Sequence, residues 1–371
     1  MKILHTSDWH LGRQFHNVSL LDDQRHVLQQ IVDYAVSSGV DVVIIAGDIY
    51  DRSVPPANAV SVMSELISQL HQAGIIVIIT SGNHDGAERL GFAAGVMASQ
   101  GVHILSDLSK FCEPIVVNDE VAFYGIPFAD PVSVRHAFGV EVNTHDEAMA
   151  YLTQRITDIA DPSLATVVIA HCFIDGGEPS DSERPLSLGG ADCVSYQHFM
   201  PFSYTALGHL HGRQYKGSEH IRYSGSPLKY SFSETKQIKS FTVVELTPSS
   251  FSFEQIPLIP KRDMRRLEGE LQQVLESGVN DSARDDYLYV ALTDTHAIMD
   301  VMSKLRDVYP NVLHVERPGL MKSNDTRALN KQRKQQSEER MFSDFFSQVM
   351  GQPMTKEQQT CLHKTLQSLL E

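Results

Sequence analysis

No apolar run in this 371-residue sequence approaches the roughly 20 residues that a membrane-spanning helix needs, so no membrane association is expected. Cysteine is scarce: Cys112, Cys172, Cys193 and Cys361 are scattered and form no Cys-x-x-Cys pair. That excludes the usual layout of a structural zinc site and fits the reducing cytoplasm. No Gly-x-x-x-x-Gly-Lys-Ser/Thr loop is present, so the chain is expected to bind no nucleotide itself. The opening Met1-Lys2-Ile3-Leu4-His5 reads as a strand and lacks a signal-peptide layout. No internal repeat is visible.

Positive charge is also in short supply, with a formal net charge of −15. A chain this acidic does not attract nucleic acid as a whole. Contact with DNA would have to come from local basic patches, metals or a partner. Two patches exist: Lys261, Arg262, Arg265 and Arg266, and then Lys322, Arg327, Lys331, Arg333, Lys334 and Arg340. Runs this short are more often solvated linker than DNA contact.

What is present is an ordinary globular composition, 42% hydrophobic and 21% charged, with length for two or three domains. The apolar runs Ile3-Leu4, Val42 to Ala46, Ile75 to Ile79 and Val167 to Ala170 suit strands buried on both faces. Helical spacing appears in Leu28, Ile31, Val32 and Ala35, and again in Val62, Leu66, Ile67 and Leu70 after Pro55-Pro56. Later runs, Val121 to Tyr124, Tyr204 to Leu207, Ile221 to Tyr223 and Phe241 to Leu246, are expected to build a second sheet. The fold class expected is α/β: a two-sheet α/β sandwich, a smaller α/β capping domain and C-terminal helices.

The core is placed at 1–256, with a break near Pro257 and Pro260. The capping domain is placed at 257–320, with strands at Tyr287 to Leu292 and Val312 to Val315 around a helix near Ile298 to Val308. A basic linker follows at 321–340, and a helical segment at 341–371. In that segment Phe342, Phe345, Phe346 and Val349 form one apolar stripe. Met354, Cys361, Leu362, Leu366, Leu369 and Leu370 form a second. Such stripes suit either packing on the protein itself or docking on a partner.

The chemistry lies at the strand ends. The first strand leads into Asp8-Trp9-His10 and the second into Gly47-Asp48. The third leads into Gly82-Asn83-His84-Asp85, the fourth ends at His171, and the strand near Leu207 runs into Gly208-His209-Leu210-His211. In α/β sheets ligands bind outside the carboxyl ends of strands. Five loops therefore bring Asp8, His10, Asp48, Asn83, His171, His209 and His211 to one edge. Two cations roughly 3.5–4 Å apart stabilise both oxygens of a phosphodiester displacement, and a carboxylate between them balances their charge. Mixed imidazole and oxygen donors favour Mn²⁺, Fe or Zn²⁺. Glycines 47, 82 and 208 are expected to let the backbone turn beside the metals. Singly, each motif is weak: Asp-x-His is more often a capped turn, and a lone histidine more often a satisfied core residue. Five in order, each at a strand end, form a strong signal.

That order resembles the calcineurin-like metallophosphoesterase family. The opening Met-Lys-Ile-Leu-His-Thr-Ser-Asp-Trp-His-Leu-Gly is similar to the family's DNA-nuclease branch, and the similarity runs along the whole chain. The resemblance implies two Mn²⁺ ions, one on Asp8, His10, Asp48 and His211, the other on Asp48, Asn83, His171 and His209, with Asp48 bridging. It implies that His84 faces the scissile phosphate and that Asp85 orients or charges it. Asp51 stands where relatives carry a second histidine; a carboxylate there can hydrogen-bond His84 but repels phosphate.

The activities implied are 3'-5' exonuclease on duplex DNA and endonuclease on hairpins and single strands, in DNA end processing, repair and recombination. The partners implied are duplex ends and hairpins, an ATPase bound by the C-terminal helices, and a second copy within a heterotetramer near the nucleoid. Apolar residues between Asn58 and Leu70 or Leu90 and Met97 would join the copies. The competing function is a small-molecule or protein phosphoesterase with the same dimetal site. A non-enzymatic scaffold is disfavoured by the complete ligand set.

Overall fold

In a computed structural model, described for residues 1–183, 192–318, 338–350 and 352–370, the chain divides into two compact units, Met1–Lys261 and Arg262–Glu371. The first unit contains two six-stranded sheets. One sheet holds Lys2–Thr6, Val42–Ala46, Ile76–Thr80 and Val102–Leu105 in parallel. The other holds Val121–Ile126, Ala165–His171, Tyr204–Gly208 and Ser218–Tyr223 in parallel, with short antiparallel strands at both edges. The two-sheet sandwich expected from the sequence is therefore present.

Strand periodicity explains how the sheets pack. Side chains alternate between faces, so a strand buried on both faces reads as a continuous apolar run. Val42, Ile44 and Ala46 share one cluster with Ile78 of their own sheet and Phe123, Val167, Ile169 and Ala206 of the other. The alternate residues Val168, Ala170 and Leu207 join a second cluster with Val134, Leu152 and Ile156 of the helices Pro131–Phe138 and His145–Ile159. His145–Ile159 starts with a full capping box, Thr144 and Glu147 each bonding the other's backbone N–H. The helix Ala57–Gln72 packs on Ile76–Thr80 and on Leu21–Ser37, burying Val62, Leu66, Ile67 and Leu70 as their spacing predicts.

One assignment is corrected. Phe241 to Leu246 does not join the second sheet: Ser240–Thr247 pairs antiparallel with Lys2–Thr6 and extends the first sheet, followed by its hairpin partner Ser250–Pro257. Hydropathy reports burial, and this strand is as buried as its expected location would make it; only pairing distinguishes the two sheets.

The second unit has a three-stranded parallel sheet, Met264–Gly269, Tyr287–Leu292 and Val312–Glu316. Leu288, Val290, Leu292 and Val312 pack with Val274 of the helix Leu271–Gly278 and Leu305 of the helix Val301–Arg306. The strand Met264–Gly269 carries part of the first basic patch. Arg265 is neutralised there by Asp281 at 2.8 Å and Asp286 at 2.6 Å, so it does not stand as open linker charge. The second patch lies outside the described residues except for Arg340, which falls in a tail helix. Two tail helices follow, Glu338–Met350 and Lys356–Leu370. The first begins inside the segment expected to be linker. Among the described residues no helix is long and apolar enough to cross a membrane.

Candidate metal centre

The first unit's strands deliver their chemistry through unusual backbone. Asp8, His10, Asp48 and His209 have φ of +54°, +44°, +51° and +106°, a region that residues other than glycine seldom adopt. Main-chain hydrogen bonds between the first two loops hold this geometry: Asp8 N to Gly47 O at 3.1 Å, His10 N to Asp48 O at 2.9 Å and Leu11 N to Ile49 O at 2.9 Å. Gly47, at φ +84°, makes the sharp turn expected of it. Gly82 and Gly208 are glycine for want of room. A Cβ on Gly82 would lie 2.2 Å from Asp48 Oδ1, and one on Gly208 1.8 Å from Ala46 O.

The side chains converge. Asp48 Oδ2 lies 3.6 Å from His10 Nε2 and 3.4 Å from His171 Nε2. His10 Nε2 and His211 Nε2 are 3.1 Å apart. Asn83 Oδ1 is 3.0 Å from His171 Nε2 and 3.2 Å from His209 Nδ1. Donor atoms of Asp8, His10 and His211 fall within 4.8 Å of one another, as do those of Asp8, Asp48 and His171, and those of His10, Asp48 and His84. These histidines and aspartates, together with His209, are all buried, and Asn83 is half-buried.

Proton bookkeeping tests whether these residues fit a cation. His171 Nδ1 donates to the carbonyl of Ala46 at 3.0 Å, so in the neutral ring Nε2 carries a lone pair. That lone pair faces two more acceptors, Asn83 Oδ1 and Asp48 Oδ2. Such a gathering of buried acceptors is stabilised only by a shared positive charge, so the donor set fits a divalent cation. The titration shifts show the same demand for positive charge at this point, which a proton on His171 also meets. Burial pulls the His171 pKa down, but Asp48, Asp8 and the Ala46 carbonyl together outweigh burial and lift it to about 9. Burial raises Asp48, yet His171, with His10 and His84, more than offsets this and holds it well below the usual carboxylate range. Burial lowers His209 to about 3 and takes His10 well below its ordinary value, while burial raises Asp8 to about 6.

The residues expected around His84 are arranged differently from their expected roles. His84 Nδ1 donates to the backbone carbonyl of Asp51 at 2.9 Å, and the Asp51 carboxylate turns instead to Arg13 at 3.2 Å. Asp85 accepts from the backbone N–H groups of Gly82, Ile49 and Tyr50 at 2.9–3.1 Å, so its carboxylate ties these loops together. Burial and the neighbouring Asp48 push Asp85 up to about 7. Arg13 is held by Asp51, by Ser182 O at 3.1 Å and over the Tyr230 ring at 5.0 Å. Sequence reading missed Ser182, Glu183, Glu234 and Lys239, which surround His211. The repeated tetrapeptide Ser-x-Ser-Glu at 180–183 and 231–234 was the available signal.

Comparison with known proteins follows the same division of the chain. The model of the calcineurin-like phosphoesterase family matches residues 1–212, and that of the type 5 capsule protein repressor C-terminal domain matches residues 260–350. The D subunit of the SbcCD nuclease from Staphylococcus epidermidis is 31% identical over 374 residues, covering 100% of this chain and 99% of that protein. The protein of the same name from Staphylococcus saprophyticus is 31% identical over 373 residues, with the same coverage. Among solved structures, a dimetal phosphatase from Danio rerio superposes with a TM-score of 0.43 at 11% identity, covering 69% of this chain and 96% of that one.

Proposed function

This chain belongs to the calcineurin-like phosphoesterase family, within the group formed by the D subunits of SbcCD nucleases, and from that premise we propose that it is a Mn²⁺-dependent DNA nuclease with 3'-5' exonuclease activity on duplex ends and endonuclease activity on hairpins and single strands. The observation that carries the reading is Asp48 Oδ2, set between the imidazoles of His10 and His171. Asp8, His10, Asp48 and His211 would hold one ion, and Asp48, Asn83, His171 and His209 the other. Held by these residues, two divalent ions would supply the positive charge that a phosphodiester displacement develops on its oxygens.

The chain's own residues supply the rest. His84 is anchored through Nδ1, and its Nε2 lies 3.9 Å from Asp48 Oδ2, facing the cluster. Once protonated, that nitrogen donates a proton to the departing oxygen or a hydrogen bond to the phosphate. Arg13 neutralises Asp51, which answers the repulsion a carboxylate at this position would otherwise exert on phosphate. The most direct test offers the protein, with Mn²⁺ and partner, a plasmid-length duplex with free ends and a small phosphodiester. The duplex should be degraded far faster. Preference for the small ester would favour the competing phosphoesterase reading.

The partner in this proposal is the ATPase SbcC, in a heterotetramer with two copies of this chain, acting at DNA ends in the cytoplasm near the nucleoid. Phe342 and Phe345 are 46% and 59% exposed on the helix Glu338–Met350, an aromatic pair suited to a binding hot spot. Val60, Phe92 and Val96 are also exposed, within the segments expected to join the two copies. Truncation after Arg340 should leave a folded, metal-binding dimer by light scattering that has lost SbcC affinity and ATP-stimulated duplex cleavage. Co-purification with SbcC at full affinity would remove the tail from this role, and unfolding would assign both stripes to the protein's own core.

A further inference from the structure

Two stretches with the same pattern, Ser180-Asp181-Ser182-Glu183 and Ser231-Phe232-Ser233-Glu234, meet behind His211. In each, the two serine hydroxyls lie together, 2.8 Å apart in the first and 2.7 Å in the second. In each, the glutamate reaches back to the first serine, at 2.6 Å and 3.0 Å. The two turns then interlock. Ser182 Oγ donates to Glu234 Oε1 at 2.5 Å and sits 2.6 Å from His211 Nδ1. Glu183 Oε1 accepts the backbone N–H of His211 at 2.7 Å. Lys239 Nζ binds Glu234 Oε2 at 2.6 Å and the carbonyl of His211 at 2.9 Å.

Counting hydrogens fixes the direction of this chain. Glu234 is fully buried and faces the Lys239 ammonium, so its carboxylate accepts and does not donate. The single hydrogen of Ser182 goes to Glu234. The short contact between Ser182 Oγ and His211 Nδ1 then requires the ring to donate its N–H. The remaining nitrogen, Nε2, is left with its lone pair, and it is this nitrogen that lies 3.1 Å from His10 Nε2.

We propose that Glu234 and Ser182 are positioning residues that set the tautomer and orientation of His211, presenting its Nε2 to the metal centre. The inference rests on the assignment of His211 to the first metal site. A carboxylate acting through a hydroxyl performs here what a direct carboxylate–histidine contact performs in other metal sites: it fixes the ring and raises its donor strength. The Lys239 ammonium keeps Glu234 charged in a place where water does not reach it. Lys239 also ties the ion pair to the main chain of the histidine it serves.

The test titrates the full-length protein with Mn²⁺ alone, following two-site binding by calorimetry and by the electron paramagnetic resonance of free Mn²⁺. The wild type should bind two ions. Ser182→Ala should weaken one site by about 10- to 100-fold, leave the other unchanged, and leave the metal-free protein folded. Ser182→Thr, which keeps a hydroxyl, should restore affinity close to the wild type. Glu234→Gln should weaken the same site, and the double variant should be no weaker than the worse single variant, because both residues act along one path. Unaltered Mn²⁺ binding by Ser182→Ala overturns this inference alone. So does equal weakening of both sites together with a lower melting temperature, which marks a purely structural contact. Fewer than two Mn²⁺ bound by the wild type overturns the metal-centre assignment, and this inference with it.

Discussion

Asp48→Asn is expected to abolish cleavage, by a thousandfold or more on the scale set by the roughly 10²–10³ loss of a single transition-state hydrogen-bond donor, and to cost most of the Mn²⁺ affinity at both sites. The substitution is close to isosteric. Asparagine tolerates the positive φ of this position, +51°. Its carbonyl oxygen can still accept the His84 N–H that Asp48 Oδ1 accepts at 2.8 Å. What disappears is the negative charge at Oδ2, the atom set between His10 and His171. A neutral amide there leaves two dications without the anion that offsets their repulsion. Mn²⁺ titration and duplex cleavage should fall together, while the fold, followed by circular dichroism, persists. Near-wild-type cleavage in Mn²⁺ would remove Asp48 from the bridging role.

His84→Ala is expected to separate binding from chemistry. Its ring is fixed from behind by the Asp51 carbonyl and stacks edge-on against His10, with centroids 4.6 Å apart. Removing it should lower the cleavage rate by about a hundredfold or more, the usual scale for a proton-transferring group. Mn²⁺ stoichiometry and DNA affinity should be retained. The structure makes this a demanding test, because His84 also lies within reach of a cation shared with His10 and Asp48. A drop in metal occupancy would make His84 a ligand and end its assignment as the proton donor.

The convergence of the seven residues expected at the metal site was legible because each ends or follows a strand whose composition announces it. Val42-Val43-Ile44-Ile45-Ala46 is apolar on both faces, so its end could be placed to the residue, and Asp48 with it. The site's support showed in the sequence only as the repeated Ser-x-Ser-Glu, with nothing to say that the two copies meet. Glu234 and Ser182 lie 52 residues apart, and neither carries a local mark of burial; only folding reveals that both are enclosed. Strand membership failed for the same reason at Ser240–Thr247, whose partner Lys2–Thr6 lies at the other end of the first unit. The strand Met264–Gly269 was hidden by its own charge. Arg265 reads as solvated until Asp281 and Asp286, 16 and 21 residues later, fold against it. Asp85 and Asp51 show the remaining gap. Residue type and the family resemblance placed them beside His84, but whether a side chain or a carbonyl makes the contact is set by loop geometry that no spacing encodes.

The four left-handed residues at the centre carry a consequence for how such a protein can change. Asp8, His10, Asp48 and His209 each hold a conformation that glycine adopts freely and that costs other residues about 1 kcal/mol or more. Glycine at these positions relaxes the backbone and deletes the chemistry in the same step. Glycine there also removes the carboxylates of Asp8 and Asp48, which accept the backbone N–H groups of His209 and His84 at 2.9 and 2.8 Å, so the strained backbone is held in place by the same atoms that make the site. Attempts to harden this enzyme belong in its helices and sheet faces, away from these four positions.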